Sequence, residues 1–399
     1  MLEETTPLSS EALAAVQRPT AQARGLPNAA YTSEAAFRLE RERIFTRTWS
    51  CIGVASDVRE PGDVKPVELL GLPLLMVRGR DGALRVFHNV CSHRGLKLCD
   101  GAGRVGNVIR CPYHSWAYDL DGRLRATPQV GGPGRHHADG IDRRTLGLKP
   151  VRTAVWFDLV FVDVSGAAPA FGDHVAPLVE RWAAYDPARL VRGEPGSLTL
   201  EVACNWKLAV ENYCESYHLP WVHPGLNSYS RLQDHYHIFG DGRFAGQGTT
   251  TYAPQQDGPP LPTFPHLPES AEKAGEYVAL FPNALLGIQA DHFFAVWLEP
   301  VGSDRTREHL EIYYVGEAAR DAEHREVRER TLERWTEVFV EDVAMVERLQ
   351  AGRASTAFDG GVFSPVMDTP SHAFHVWVAD ALAPPAEPAG EGGLRAVTG

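Results

Sequence analysis

The sequence predicts an α+β protein divided into a small all-β domain and a larger domain of mixed helix and sheet. Three observations predict it. The chain has 399 residues, too many for one compact core. From about residue 50 to 155, short alternating runs such as LPLLMVRG and LRVFHNV are divided by RDG, DGAGRVGN and DLDGRL, the pattern of short strands joined by Gly- and Asp-containing turns. Beyond residue 156 the runs lengthen, and helical and strand periodicities alternate. The expected boundaries are residues 1–48 for an N-terminal segment and helix packed on the larger domain, 49–155 for the β domain, and 156–399 for the larger domain.

Each element follows in order. Residues 1–32 are rich in Pro, Ser, Thr and Ala and predict weak order. SEAAFRLERERIFTRTW then offers Ser33 as an N-cap, acids in the first turn, and Phe37, Ile44 and Phe45 on one face, which predicts a helix. VWFDLVFVDV reads as a buried strand. The larger domain predicts a helix over about 205–219, strands at about 277–300 and 308–316, and a charged helix over 319–351. SHAFHVWVADAL closes it as an apolar segment, and the Pro-rich YAPQQDGPPLPTFPHLPES is a long loop of the kind that borders a site.

Composition narrows the function. A net charge of −12 disfavours nucleic-acid binding, which needs clustered Lys and Arg. No apolar run reaches the roughly 20 residues of a membrane helix. MLEETTPLSS has no basic-then-apolar signal, so a cytoplasmic location is expected, where structural disulfides are rare. The six cysteines are then thiols or metal ligands, with Cys51, Cys99, Cys204 and Cys214 read as small buried residues.

Cys91 and Cys111 differ. Cys91-x-His93, seventeen intervening residues, then Cys111-x-x-His114 make a set of two cysteines and two histidines. Zinc accepts such a set, but its usual spacing pairs Cys with Cys and His with His. Here each loop supplies one of each. A Rieske [2Fe–2S] cluster needs that division, two thiolates on one iron and two imidazoles on the other.

A second constellation lies in NWKLAVENYCESYHLPWVHPG. His218 and His223 are five apart, a spacing that diverges by about 140° on an ideal helix. Pro220 between them is expected to break the helix and let both imidazoles reach one metal. Glu211, Glu215 and His218 would form one helical stripe, and a carboxylate on it suits the free nitrogen of that histidine. Two histidines and one carboxylate with open positions form the facial triad of O2-activating non-heme Fe(II). The second acid must come from elsewhere. DHYHI, with His235 and His237, reads as polar strand residues rather than ligands.

NVCSHRGLKLCDGAGRVGNVIRCPYHSWAYDLDGRL resembles the Rieske domain of the aromatic-ring-hydroxylating, or Rieske non-heme iron, oxygenase family, large (α) subunit. The resemblance spans roughly residues 33–384. It implies that Cys91 and Cys111 bind one cluster iron and His93 and His114 the other. It implies a helix-grip (START-like) catalytic domain, an antiparallel sheet around a long helix, whose mononuclear non-heme Fe(II) is held by His218, His223 and a late acid. VEDVAMVERLQAG resembles the segment carrying that acid and places it on Asp342, with Glu341 as the alternative. The family further implies a homotrimer in which the cluster of one subunit serves the iron of the next. Glu215 then bridges His218 and the neighbour's His114, where many members have Asp.

Among relatives the chain is most similar to the branch oxidising quaternary ammonium compounds such as choline, glycine betaine and carnitine. The expected reaction uses O2 and electrons from a separate NAD(P)H-dependent flavin/iron–sulfur reductase to hydroxylate a C–H bond, N-methyl first, of a small-molecule substrate. A cationic headgroup calls for aromatic faces and an acid. Asp291, His292, Phe293, Phe294, Trp297, Tyr217, Trp221 and Tyr229 are the candidates, against a simple packing role. An aromatic carboxylate substrate would instead call for an Arg, such as Arg231 or Arg243. An electron-transfer protein without oxygenase activity remains the alternative class.

Overall fold

In the computed structural model, residues 8–255 and 258–383 are described. The N-terminal helices are α1 (Ser10–Val16), α2 (Ala29–Thr32) and α3 (Glu34–Glu40). Ser33 caps α3 by accepting from the Ala36 N–H at 3.3 Å. Residues 8–32 correct the expectation of weak order; residues 1–7 lie outside the described residues. Leu8, Leu13, Val16, Leu26 and Tyr31 are buried in the main core. Two histidines of the C-terminal helix fasten this stretch. His372 Nε2 donates to the Val16 carbonyl, and His375 Nδ1 accepts from the Leu26 N–H at 3.0 Å.

The first sheet has seven strands, in the order Ser50–Val54, Leu159–Asp163, Pro150–Trp156, Leu84–His88, Leu72–Arg78, Asp63–Leu69, Gly103–Arg104. VWFDLVFVDV turns out to be a hairpin rather than one strand: Phe157 and Asp158 both have positive φ, the two-residue turn that matches strand twist. The sheet therefore continues past residue 155, because Leu159–Asp163 pairs with Ser50–Val54. A three-stranded sheet of Val108–Arg110, Ala117–Asp119 and Leu124–Ala126 completes the small domain around Cys91, Cys111, Trp116 and Tyr118.

After α4 (Phe171–Arg181), a second seven-stranded antiparallel sheet runs in the order Leu190–Val202, Arg305–Val315, His292–Gly302, Ala284–Gln289, Gly275–Leu280, Phe244–Thr249, His235–Phe239. One face packs against α5 (Trp206–Cys214), α8 (Arg325–Gly352) and α9 (Thr369–Leu382), with the short α6 (Leu219–Val222) and α7 (Pro224–Asn227) between. The other face meets α4 and the Ser50–Val54 and Leu159–Asp163 strands. The apolar C-terminal segment is thus a helix, and the long charged helix starts at Arg325 because 3-10 turns occupy Glu317–Arg320 and Ala322–His324.

α5 is fixed at its start. Asn205 caps it, and Glu347 and Gln350 of α8 accept from the Ala203 and Asn205 N–H groups at 2.9 and 3.0 Å. The wholly buried Lys207 ammonium pairs with the equally buried Glu40 of α3, which also accepts from Trp206 Nε1 at 2.7 Å. No helix among the described residues is long and apolar enough to cross a membrane.

Candidate active site and cluster loops

The two Cys-His loops share one backbone design. In each, the cysteine N–H donates to the carbonyl five residues on, Leu96 and Trp116, at 2.8 Å. In each, the N–H four residues on, Gly95 and Ser115, donates back to the cysteine carbonyl at 3.0 Å, and both donors have positive φ. Glycine suits that conformation; Ser115 adopts it at a steric cost. Cys91 and Cys111 are buried, while the rings of His93 and His114 face each other, Nδ1 to Nδ1 at 3.1 Å. Burial raises the Cys91 thiol above its ordinary range, against the Tyr118 hydroxyl, which lies 3.2 Å from the sulfur. Two sheltered sulfurs beneath two facing imidazole nitrogens fit an iron–sulfur cluster whose cations hold the thiols ionised.

The second constellation corrects the sequence reading in its local structure. α5 ends at Cys214, and Glu215 is extended at φ −124° and ψ 159°. The stripe of Glu211, Glu215 and His218 therefore does not exist. Glu211 turns into the core, to the Tyr31 hydroxyl and to His375 Nε2 at 3.1 Å. Pro220 does not break a helix; it sits in the first turn of α6, where its missing N–H costs nothing. The Glu215 carboxylate accepts from the Tyr217 and His218 N–H groups, and this turn delivers the histidine.

The result is convergence. His218, His223 and Asp342 each place one ligand atom within 4.8 Å of the others. His223 Nε2 is 2.9 Å, and His218 Nε2 3.6 Å, from Asp342 Oδ1. Each imidazole is oriented through its other nitrogen, His218 Nδ1 by Glu215 Oε1 at 2.6 Å and His223 Nδ1 by Glu341 Oε2 at 2.7 Å. Glu341 and Asp342 thus divide the work that the sequence left open between them. Burial opposes protonation of both imidazoles, yet Glu215 and Asp342 outweigh it at His218, and Asp342 and Glu341 at His223, so both are raised. A field that draws protons to two inward nitrogens equally suits a divalent cation, and the donor set fits Fe(II).

Beside the ligand atoms lies a cavity of about 40 Å³ walled by Tyr213, Tyr277, Trp335 and Phe339, with Asn212, His235 and Gln247 as polar neighbours. No Lys or Arg lines it. Trp335 stands two helical turns before Asp342 on α8. Its indole N–H donates to His292 Nε2 at 2.9 Å, so the His292 proton sits on Nδ1 and is donated to Asp291 at 2.6 Å. Sequence reasoning missed Trp335, Phe339 and Tyr277; the apolar spacing on α8 toward Asp342 was the available signal.

The aromatic candidates separate. Phe294 faces inward, its ring 4.3 Å from that of Trp335. Phe293 and Trp297 face the opposite side of the sheet, since side chains alternate along a strand. Tyr217 and Trp221 are exposed beside Glu215, and Tyr229 packs on Tyr252 outside the cavity lining. Arg231 pairs with Asp234, and neither it nor Arg243 reaches the cavity. His235 lines the cavity, bonded to Gln247 and Ser230; His237 bonds Thr369.

A sulfur-and-imidazole pair of loops on a β domain and a two-histidine, one-carboxylate group under a helix-packed sheet define an iron-dependent, electron-fed oxygenase. Comparison with known proteins gives the same class. Residues 48–139 match the Rieske [2Fe–2S] domain, and residues 188–384 match the ring hydroxylating alpha subunit catalytic domain. The chain belongs to the Rieske non-heme iron oxygenase family, and it carries both the [2Fe–2S] domain and the catalytic domain of mononuclear non-heme iron. The carnitine monooxygenase oxygenase subunit of Escherichia coli K12 is 29% identical over 338 residues, 84% of this chain and 86% of the relative. The glycine betaine monooxygenase oxygenase subunit of Chromohalobacter salexigens is 34% identical over 226 residues, 56% of this chain and 49% of that one. The quaternary ammonium Rieske monooxygenase CntA, solved with its substrate L-carnitine, superposes with a TM-score of 0.76 at 25% identity, over 93% of this chain and 99% of the other.

Proposed function

We propose that the protein hydroxylates a C–H bond beside the nitrogen of a quaternary ammonium compound, N-methyl first, using O2 and two electrons from a separate NAD(P)H-dependent flavin/iron–sulfur reductase. The observation that carries the substrate class is the cavity lining, which has four aromatic walls and no Lys or Arg. An onium group cannot hydrogen-bond and binds through aromatic faces, whereas an aromatic carboxylate calls for a guanidinium. Cys91, Cys111, His93 and His114 hold the cluster, and His218, His223 and Asp342 hold the iron, which when bound supplies the open positions for O2. Oxygen insertion takes one atom of O2 into the C–H bond and reduces the other to water with two electrons and two protons. A hydroxylated N-methyl then loses formaldehyde and leaves the tertiary amine.

The residues of this chain prepare that reaction. Glu215 and Glu341 keep the two imidazoles turned inward, Trp335 and Phe339 press the headgroup toward the ligand set and exclude water, and His292 fixes the indole. Exposed Leu96 and Tyr113 beside His93 and His114 match in character the exposed Tyr217 and Trp221 beside Glu215. That pairing supports a homotrimer in which the cluster loops of one copy meet the Glu215 turn of the next. In the soluble fraction of a cell the reductase would meet this assembly directly. The test measures NADH and O2 consumption with a surrogate reductase, comparing choline, glycine betaine, carnitine and simple tetraalkylammonium ions with aromatic carboxylates. Formaldehyde release or another oxygenated product from an onium substrate is expected; turnover of the aromatic acids alone would overturn the reading.

A further inference from the structure

Charge is unevenly divided along this chain. Residues 49–163, the span of the first sheet, carry sixteen Lys and Arg against twelve Asp and Glu, a net of +4, whereas the remaining residues, 23 against 39, carry −16. The small domain is a basic body on an acidic protein. Its histidine-bearing tip is committed, in the function proposed above, to the neighbouring copy. Electrons must therefore enter by another face.

One face has the required properties. An open groove of about 510 Å³ is lined by Arg123, Arg125, Arg143 and Arg144, with one acid, Asp121, and with Gly147 in its floor. The Arg123, Arg125 and Arg144 side chains are 69%, 58% and 90% exposed, held in place by Asp121, Asp119 and Asp142. Arg143 donates to the Arg125 carbonyl at 2.7 Å. The floor of the groove touches the cluster loop, because the Ser92 hydroxyl donates to the Gly147 carbonyl at 3.0 Å, and Ser92 lies between Cys91 and His93. The Ser92 N–H in turn donates to the Tyr118 hydroxyl, which is 3.2 Å from Cys91 Sγ.

We infer that this arginine groove is the docking site of the electron donor, and that the donor presents an acidic face around its own redox centre. The inference rests on the proposed oxygenase function. One electron passes per encounter, the donor being oxidised and the cluster reduced by one. The geometry gives the domain a direction: electrons enter on the side of the buried cysteines and leave through the exposed histidines.

The test uses the full-length enzyme with both metal centres and, as probe, an acidic plant-type [2Fe–2S] ferredoxin reduced enzymatically. Anaerobic stopped-flow bleaching of the cluster gives the second-order rate of electron entry, and calorimetric titration gives the affinity. The charge reversal R123E/R143E/R144E is expected to lower both by about tenfold or more near 50 mM salt, with the difference closing above about 0.5 M, as screened encounter predicts. The neutral R123Q/R143Q/R144Q set should fall between. Reduction by dithionite, which needs no docking face, should be unchanged in every variant, and Arg104→Glu, on the opposite edge strand of the first sheet beside Glu60 and Asp63 and outside the groove lining, should behave as wild type. Equal rates in the reversed and native proteins would overturn the inference. So would equal damage from Arg104→Glu, or dissociation of the assembly in the reversed variant, which would make the groove a contact between copies. A native enzyme with no dithionite-bleachable cluster would instead defeat the oxygenase reading itself.

Discussion

At the scale of single residues, the site is governed by which nitrogen of each histidine is occupied. Glu215 and Glu341 take the outer nitrogens, so both inner ones are presented to the shared point. Glu215→Gln still accepts from His218 but loses its charge. Iron content should fall little, while turnover falls about 10–100-fold, the usual size of losing such a partner; metal analysis beside a coupled oxygen assay checks this. His292→Phe removes the acceptor of the Trp335 indole and should raise KM about tenfold with a smaller change in kcat, read from steady-state kinetics on the best onium substrate. Glu308 supplies a pH test. Burial pushes its carboxyl up to about 8, with Asp342 adding to the effect. Between about 4.5 and 8 the folded chain keeps a proton that the unfolded chain has released, so stability falls as pH rises through that window. Glu308→Gln should flatten the dependence and stabilise the protein at pH 8 by on the order of 2 kcal/mol, measured by denaturant unfolding.

At the scale of elements, what the sequence showed and what it concealed have different physical origins. The cluster loops were legible because Cys-x-His and Cys-x-x-His carry their chemistry in local spacing. Asp342 could be placed only by resemblance to a known family, since nothing on a charged helix marks the one acid that faces inward. The end of α5 was read four or five residues too late. No Gly or Pro stops that helix at Cys214; a side chain, the carboxylate of Glu215 turning back to two N–H groups, reshapes the backbone there. Residues 8–32 were misread because their order comes from tertiary partners on α9 and not from local propensity. The Lys207–Glu40 pair joins α3 to α5 in the same hidden way. Glu40→Ala strands a buried ammonium and should cost about 3–5 kcal/mol, while Glu40→Leu with Lys207→Met should recover most of it. Thermal unfolding of the single and double variants decides between these.

At the scale of the molecule, the second sheet is the common support. Its inner face carries α5, which leads into the turn and short helix bearing His218 and His223, and α8, which bears Asp342, while its outer face packs on the first sheet of the cluster domain. If electrons cross between copies, two defective proteins should repair each other. Cys111→Ser, without a cluster, and Asp342→Ala, without iron, are each expected to be inactive alone and to regain a measurable fraction of turnover after mixed refolding or co-expression. Mixtures as dead as either parent would confine transfer to one chain and leave the trimer reading without its purpose. The longest helix sets one more limit. Trp335 and Asp342 ride on the same unbroken span of 28 residues, two turns apart. Sliding that rod to admit a bulkier guest would drag the carboxylate off its partners, so natural or laboratory variants with new appetites should carry exchanged side chains along its inner stripe and leave its register alone.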